Sequence, residues 1–234
     1  MMNILFKRYW PILVLTIFVG LTSCKKSELK KPADVSVQMD INRQPSTQGH
    51  LEFNSGYIRI TDFRVEGTRQ EGAPVEMNKD FSQGLLITFS PTIMVSELNL
   101  DIPQGNYTDL DISFDTFDDL GQPTIQVEGT YTNQSSQTFP VIFEFESSET
   151  FSINGESETG EPIIVLDKNI PSNTFIQFDP QYWFDIVTIN MWDNAVMVDV
   201  QGTMTILINE SVNDAIYDLI ADRIDDATEA TFGN

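Results

Sequence analysis

Apolar and polar residues alternate with a period of two along much of the chain. Residues 35–41 put Val35, Val37, Met39 and Ile41 on one face and polar side chains on the other. Residues 57–65 continue the pattern through Ile58, Ile60, Phe63 and Val65. Residues 106–114 turn Tyr107, Leu110, Ile112 and Phe114 inward, with a slip near Asp109. The stretches 124–132, 139–145 and 197–208 behave alike. Strict alternation marks half-buried antiparallel strands, with one face on a core and one in water. Gly, Pro and Asn punctuate the strands at 103–105, 120–123 and 171–173. Asn154-Gly155 reads as a type I′ hairpin turn after a strand at 150–153, and the acidic stretch 155–161 as a mobile loop. About ten or eleven short strands at this spacing predict a sandwich or a barrel.

Near the C-terminus the period changes. In residues 211–227, Val212, Ala215, Ile216, Leu219, Ile220 and Ile224 form one helical stripe. Asn209 or Ser211 can cap its start, and Asp214 sits near its positive end. Asp218, Asp222, Asp225 and Asp226 take the other face. Membrane-surface helices carry a basic polar face. The acidic face here predicts a C-terminal amphipathic α-helix packed on the strands. A shorter helical turn is expected at residues 180–184.

The first residues follow neither period. Lys7 and Arg8 precede an apolar segment, residues 12–20, which small and polar residues follow. That is the layout of a secretory signal peptide. The segment falls short of the roughly 20 residues that span a bilayer core. The next residues, Leu21-Thr22-Ser23-Cys24, resemble the lipobox of bacterial lipoproteins: an aliphatic residue, two small residues, then the cysteine that is acylated. The resemblance implies cleavage after residue 23 and lipidation of Cys24. Cys24 is the chain's one cysteine, so no disulfide competes for it. Several acyl chains anchor a protein stably where one does not. Three parts follow: a signal peptide at 1–23, a lipidated tether at 24–34, and one domain at 35–234. Lys25, Lys26, Lys30 and Lys31 in the tether add attraction to anionic headgroups.

Charge removes one class of partner. Lys and Arg number 13 against 35 Asp and Glu, a formal net charge of −22. Four of the basic residues lie in the tether and two in the signal peptide, so the domain is more acidic still. Nucleic-acid affinity rests on neutralising phosphates, and this chain repels them. Hydrophobic residues make up 41% and charged residues 21%, a globular composition.

Residues suited to catalysis are few. His50 is the one histidine, which removes most zinc sites and histidine-based triads. With Cys24 assigned to lipid no thiol nucleophile remains, so no enzyme activity is expected. Asp115, Asp118 and Asp119 lie in a turn ending at Gly121 and supply oxygen ligands of the kind Ca²⁺ takes, at a spacing unlike the EF-hand. No other cofactor is expected. Tyr182, Trp183, Phe184 and Trp192 form the densest aromatic stretch. Tyr182, Trp183 and Trp192 are read either as a platform for a sugar or partner or as the closing layer of a core.

The lipobox with its lysines, then Asp101-Ile-Pro-Gln-Gly-Asn-Tyr-Thr108 and Phe178-Asp-Pro-Gln-Tyr-Trp-Phe184, resemble Bacteroidota outer-membrane lipoproteins. The phrase at 102–108 is similar to the strand entry of transthyretin-like sandwiches, an architecture shared by fimbrillin-type pilus proteins. The resemblance implies a mainly β fold, an antiparallel β-sandwich of transthyretin or immunoglobulin type with one C-terminal helix. With no nucleophile–base or metal-ligand constellation in the sequence, the expected function is a lipid-anchored, non-catalytic binding or scaffold module with a protein or glycan partner. The resemblance leaves open a fimbrillin-like subunit exchanging strand 35–41 or 197–208, and a Ca²⁺- or glycan-binding module. Surface-exported lipoproteins of that group carry acidic residues after the lipidated cysteine. Lys25 and Lys26 depart from this and favour the periplasmic face of the outer membrane.

Overall fold

A computed structural model describes residues 27–92, 98–118 and 121–233. The expected signal peptide, Cys24, Lys25, Lys26 and Asp119 lie outside the described residues. The fold is mainly β. In chain order the strands begin with β1 (Pro32–Ile41), β2 (Leu51–Arg69), β3 (Val75–Phe89), β4 (Leu98–Pro103) and β5 (Gly105–Asp115). Next come β6 (Ile125–Thr132), β7 (Thr138–Phe145), β8 (Thr150–Ser157), β9 (Ile164–Leu166) and β10 (Ser172–Phe178). The last three are β11 (Met197–Val200), β12 (Thr203–Ile208) and β13 (Thr228–Gly233). Among the described residues, the short helices between strands are α1 (Pro180–Phe184), α2 (Ile189–Asp193) and α3 (Asp214–Ala221). Among the described residues, no helix is long and apolar enough to cross a membrane.

The strands pair in the order β11-β12-β7-β6-β2-β5-β8-β13-β10-β1-β4, with β3 also on β2 and β9 on β5. The sheet is mixed, which corrects the expectation of purely antiparallel pairing. β1 runs parallel to β10, β12 to β7 and β13 to β8. Each parallel pair joins strands far apart in sequence. Alternation along one strand reports its buried face and carries no information about the direction of its neighbour.

The sheet curls over its own core. Phe178 on β10 meets Phe89 of β3, Phe114 of β5 and Phe151 of β8, strands to which β10 has no ladder. One contiguous apolar cluster runs from Ala33 to Phe232. Tyr107, Leu110, Ile112 and Phe114 are all buried in it. The slip near Asp109 is a bulge: Thr68 faces Asp109, Arg69 faces Tyr107, and Thr108 is the extra residue. After the β4–β5 turn the Tyr107 hydroxyl donates back to the Pro103 carbonyl. Its ring lies against Gly67, where an added Cβ would sit 2.7 Å from Tyr107 Cε1.

Three local expectations change. Asn154-Gly155 is no turn, because β8 runs straight through it. There β8 changes partner: Asn154 ends the ladder with β5 and Gly155 opens the one with β13. A Cβ on Gly155 would lie 2.4 Å from the Leu110 carbonyl oxygen, so glycine is required by close approach. The first residues of the expected loop at 155–161 are therefore strand. Next, the segment 197–208 is two strands, β11 and β12, with Gln201 and Gly202 turning between them at φ 53° and 89°. Finally, the helix expected at 211–227 is the eight-residue α3, and it does not end the chain. Asn213 precedes it at φ 56° and bonds Val196 and Leu207 instead of capping the helix. The chain then returns as β13, inserted between β8 and β10.

The segment expected as a tether is partly built into the fold. Residues 32–34 open β1, and Ala33 is fully buried. Arg69 Nη1 donates to the Leu29 carbonyl at 2.6 Å and to that of Gln104 at 3.0 Å. Gln104 Nε2 donates to the Glu28 carbonyl at 2.6 Å. The Glu28 carboxylate bridges Lys168 at 2.6 Å and Lys31 at 2.7 Å. Chiefly through the Lys168 hydrogen bond, its pKa is held down at about 2.

Candidate functional site

The aromatic segment expected as a platform divides into inside and outside residues. Trp183 and Trp192 are buried, which removes both from direct ligand contact. Helical spacing turns Trp183 and Phe184 into the core and leaves Tyr182 outward. Trp192 stacks on Tyr131 at 5.2 Å and on Phe184 at 5.6 Å, and Phe184 packs against Phe53 at 4.8 Å. The indoles thus lie inside the core, behind Phe184 and Tyr131, which reach the surface recesses. Tyr182 remains 39% exposed, with the Arg223 guanidinium 4.3 Å from its ring centre. Arg223 is fixed in turn by Asp185 at 2.6 Å.

In front of Phe184 lies an open cleft of about 780 Å³. One side is the β1–β2 connection, with Ser46, Gln48 and His50; the other is α1 and the start of α2, with Gln181, Tyr182 and Ile186. Asp179 caps α1 by accepting from the Gln181 and Tyr182 amides, and Pro180 fits the first helical position. This cap fixes where Gln181 and Tyr182 emerge. Gln181 Nε2 donates to the Leu51 carbonyl at 3.3 Å, tying the two sides together. Gln181 Oε1 is buried and has no hydrogen-bond partner among the described residues. A smaller recess of about 240 Å³ shares Gln48, His50 and Ile189 with the cleft and adds Asn133 and Gln134.

His50 stands where the two recesses meet. Its Nδ1 is 3.3 Å from Ser46 Oγ, and its ring meets Tyr131 edge-on at 5.9 Å. Burial lowers its pKa, so the imidazole is neutral at physiological pH. Ser46 Oγ also accepts from the Leu51 amide at 3.1 Å. The hydroxyl therefore acts as part of the turn, and no carboxylate is bonded to His50 among the described residues. The pair provides hydrogen-bonding groups, and the acid–histidine–serine relay of a hydrolase is not assembled.

The cleft's polar surface has amides from Gln48, Gln181 and Asn190, hydroxyls from Ser46, Thr47 and Thr188, and two carboxylates, Asp179 engaged in capping α1 and Asp185 paired with Arg223. Apolar surface comes from Ile186, 45% exposed, and Tyr182. Such a lining suits a neutral, hydroxyl-rich ligand with one apolar face. Sequence reasoning found Tyr182 by aromatic density. It missed His50 and Gln181 as neighbours, because residues 51 and 181 meet only through the tertiary fold.

The acidic cluster lies elsewhere. Asp115 ends β5 with one carboxylate oxygen 2.8 Å from Arg64 and the other accepting from Thr150 at 2.7 Å. Both oxygens are thus engaged within the protein. Asp118 follows in the loop, and Asp119 lies outside the described residues. Among the described residues, no group of three or more His, Cys, Asp and Glu is placed to hold a metal ion. No family model, curated protein or solved structure matches this chain.

Proposed function

We propose that this protein is a lipid-anchored module of the bacterial envelope that binds a ligand without transforming it, and that the cleft between the β1–β2 connection and α1 is its ligand site. The buried, unpaired Gln181 Oε1 in the cleft wall carries the assignment of the site. A buried acceptor without a partner costs about 1–3 kcal/mol, and a rotation of the Gln181 amide that brought it to a ligand hydroxyl would recover part of that energy. The anchor reading rests on Leu21-Thr22-Ser23-Cys24 and the single cysteine. The lysines after Cys24 favour the periplasmic side of the outer membrane. The sandwich reading draws support from the packing of Phe178 across the core and from the Tyr107–Pro103 contact, a corner device of Greek-key sandwiches. Net charge of −22 argues against a nucleic-acid partner.

Neutral glycans fit the lining, since amides and hydroxyls address sugar hydroxyls and Tyr182 presents an apolar face. Calorimetry with a panel of neutral and anionic oligosaccharides tests this. The expected result is binding of a neutral member, weakened at least about tenfold by Gln181→Ala or Tyr182→Ala, the effect of about 1.4 kcal/mol. No binding across the neutral panel, or binding indifferent to both substitutions, removes the glycan assignment. Of the two strands that a strand-exchanging subunit could swap, β1 is paired on both sides by β10 and β4, which argues against it, whereas β11 ends the sheet path with β12 as its one partner among the described residues.

A further inference from the structure

The sheet path ends on an open edge. β11 pairs with β12 and with no other strand among the described residues. The chain around it is apolar and exposed: Val196 is 59%, Met197 39% and Met204 52% accessible. Met197 lies opposite Ile206 and Met204 opposite Asp199, so the two methionines are diagonal neighbours on one face. Val198 and Val200 take the other face, half-buried. Residues 194–208 hold a single charged side chain, Asp199, in a chain that is 21% charged. That carboxylate turns back on its own hairpin and accepts from the Gly202 amide at 2.6 Å. Sheet edges are commonly guarded by lysine or proline, and neither occurs in this stretch.

The turn fixes which backbone groups are free. Gln201 and Gly202, at φ 53° and 89°, close a two-residue hairpin in which Val200 faces Thr203. The closing pair of such a hairpin exchanges both its hydrogen bonds, and the bonding direction then alternates along the strand. Val198 and Val200 are thus bonded toward β12. The amides and carbonyls of Met197 and Asp199 point away from it. Val196 follows the same alternation: its N–H and C=O both bond inward, to the Asn213 side chain, at 2.7 and 2.9 Å.

We propose that β11 pairs antiparallel with β11 of a second copy of this chain, joining the two sheets across a two-fold axis at Val198. In that register Met197 of each copy faces Asp199 of the other, and each such pair exchanges both outward backbone bonds. Val198 meets the second copy's Val198 in the close, non-hydrogen-bonded position, with Cα atoms about 4.5 Å apart. The two Asp199 carboxylates do not face each other, so the pairing sets no like charges directly opposite. A two-fold contact of this kind is self-complementary and closed, and it stops at a dimer. β11 stays in its own sheet, which separates this pairing from strand exchange. The contact is small and both copies carry a net charge of −22, so screening by salt strengthens it.

Cross-linking of the full chain provides the test. Val198→Cys places two thiols at the axis, at a Cα separation that a disulfide accepts. Gln201→Cys, at the exposed hairpin tip, is the control. Gln201 lies three residues from Val198, so in this register its two copies stand about 20 Å apart. After oxidation in the expressing cells, gels without reductant should show a dimer of twice the chain mass for Val198→Cys. Gln201→Cys should give no more than the background from Cys24 in the parent chain. Sedimentation of the purified parent should show dimers that increase with ionic strength. Val198→Lys sets like charges opposite at the axis and should weaken them roughly tenfold, although it lowers the net negative charge. Equal yields at the two cysteine positions, no dimer from Val198→Cys, or a parent that stays monomeric up to about 1 mM overturns the pairing. A cross-linked product of any other mass means that a different protein occupies this edge, and overturns it as well.

Discussion

Tyr107 shows how one side chain serves both packing and register. Its ring fills the space over Gly67, and its hydroxyl closes the β4–β5 turn on Pro103. Burial raises its pKa to about 12 despite the nearby Arg69 cation, which acts the other way. Tyr107→Phe keeps the ring and deletes the donor, leaving the Pro103 carbonyl without its partner. Urea unfolding should show a loss of about 1–3 kcal/mol. A variant as stable as the parent would mean that water replaces the hydroxyl at no cost. At the opposite end of the pH scale, the Glu28 bridge to Lys168 has a depressed pKa. Its contribution is present above the ordinary carboxylate range and disappears as pH falls through about 2.

Among the elements, the strands with clean alternation were legible: β1, β5, β6 and β7, and even the bulge at Thr108. The others were hidden for physical reasons. β3 exposes most of its middle and carries Gly84 at φ 68°, so its apolar positions do not alternate. β13 offers only Ala230 and Phe232 as buried apolar residues, too few to mark a strand. Its place comes from ladders to β8 and β10, and even the nearer of these, β10, is at least fifty residues away in sequence. Asn154-Gly155 misled because the same dipeptide that suits a tight turn also suits a crossing where no Cβ fits. In the candidate site, Tyr182 could be read from local sequence, whereas the meeting of Gln181 with Leu51 could not. Two outcomes follow at this scale. Gly155→Ala drives a Cβ against the Leu110 carbonyl oxygen and the Phe232 ring, at 2.4 and 2.5 Å. Thermal denaturation should show a destabilisation of about 1–3 kcal/mol or more. Truncation after Ala227 removes β13, unpairs one edge each of β8 and β10, and withdraws Phe232 from the core. The shortened chain should lose cooperative unfolding; a sharp transition would show that β13 is an accessory.

For the molecule as a whole, three buried phenols couple stability to alkaline pH. Burial is the first cause in each. It raises Tyr107 and Tyr217 to about 12, the latter reinforced by Glu210. It raises Tyr131 as well, and the Tyr131 hydroxyl donates to Asp193 at 2.6 Å. In the unfolded chain these groups ionise near pH 10. The folded state therefore binds more protons than the unfolded state above that pH. The stabilisation is complete below pH 10 and is lost as pH rises through about 12. Three protons of difference give a slope approaching about 4 kcal/mol per pH unit. A domain of ordinary stability, about 5–15 kcal/mol, would be largely consumed across that window. Repulsion within a chain already at −22 acts in the same direction once lysines discharge, so the slope alone does not identify the tyrosines. Tyr107→Phe separates the two effects. It should remove about a third of the slope while leaving the charge repulsion nearly unchanged. Denaturant unfolding measured at intervals from pH 9 to 12, together with tyrosinate absorbance, reads both quantities. A parent protein equally stable across this range would sink the coupling. So would a variant whose slope matches the parent's, since the loss would then come from net charge and not from phenols held neutral by the core.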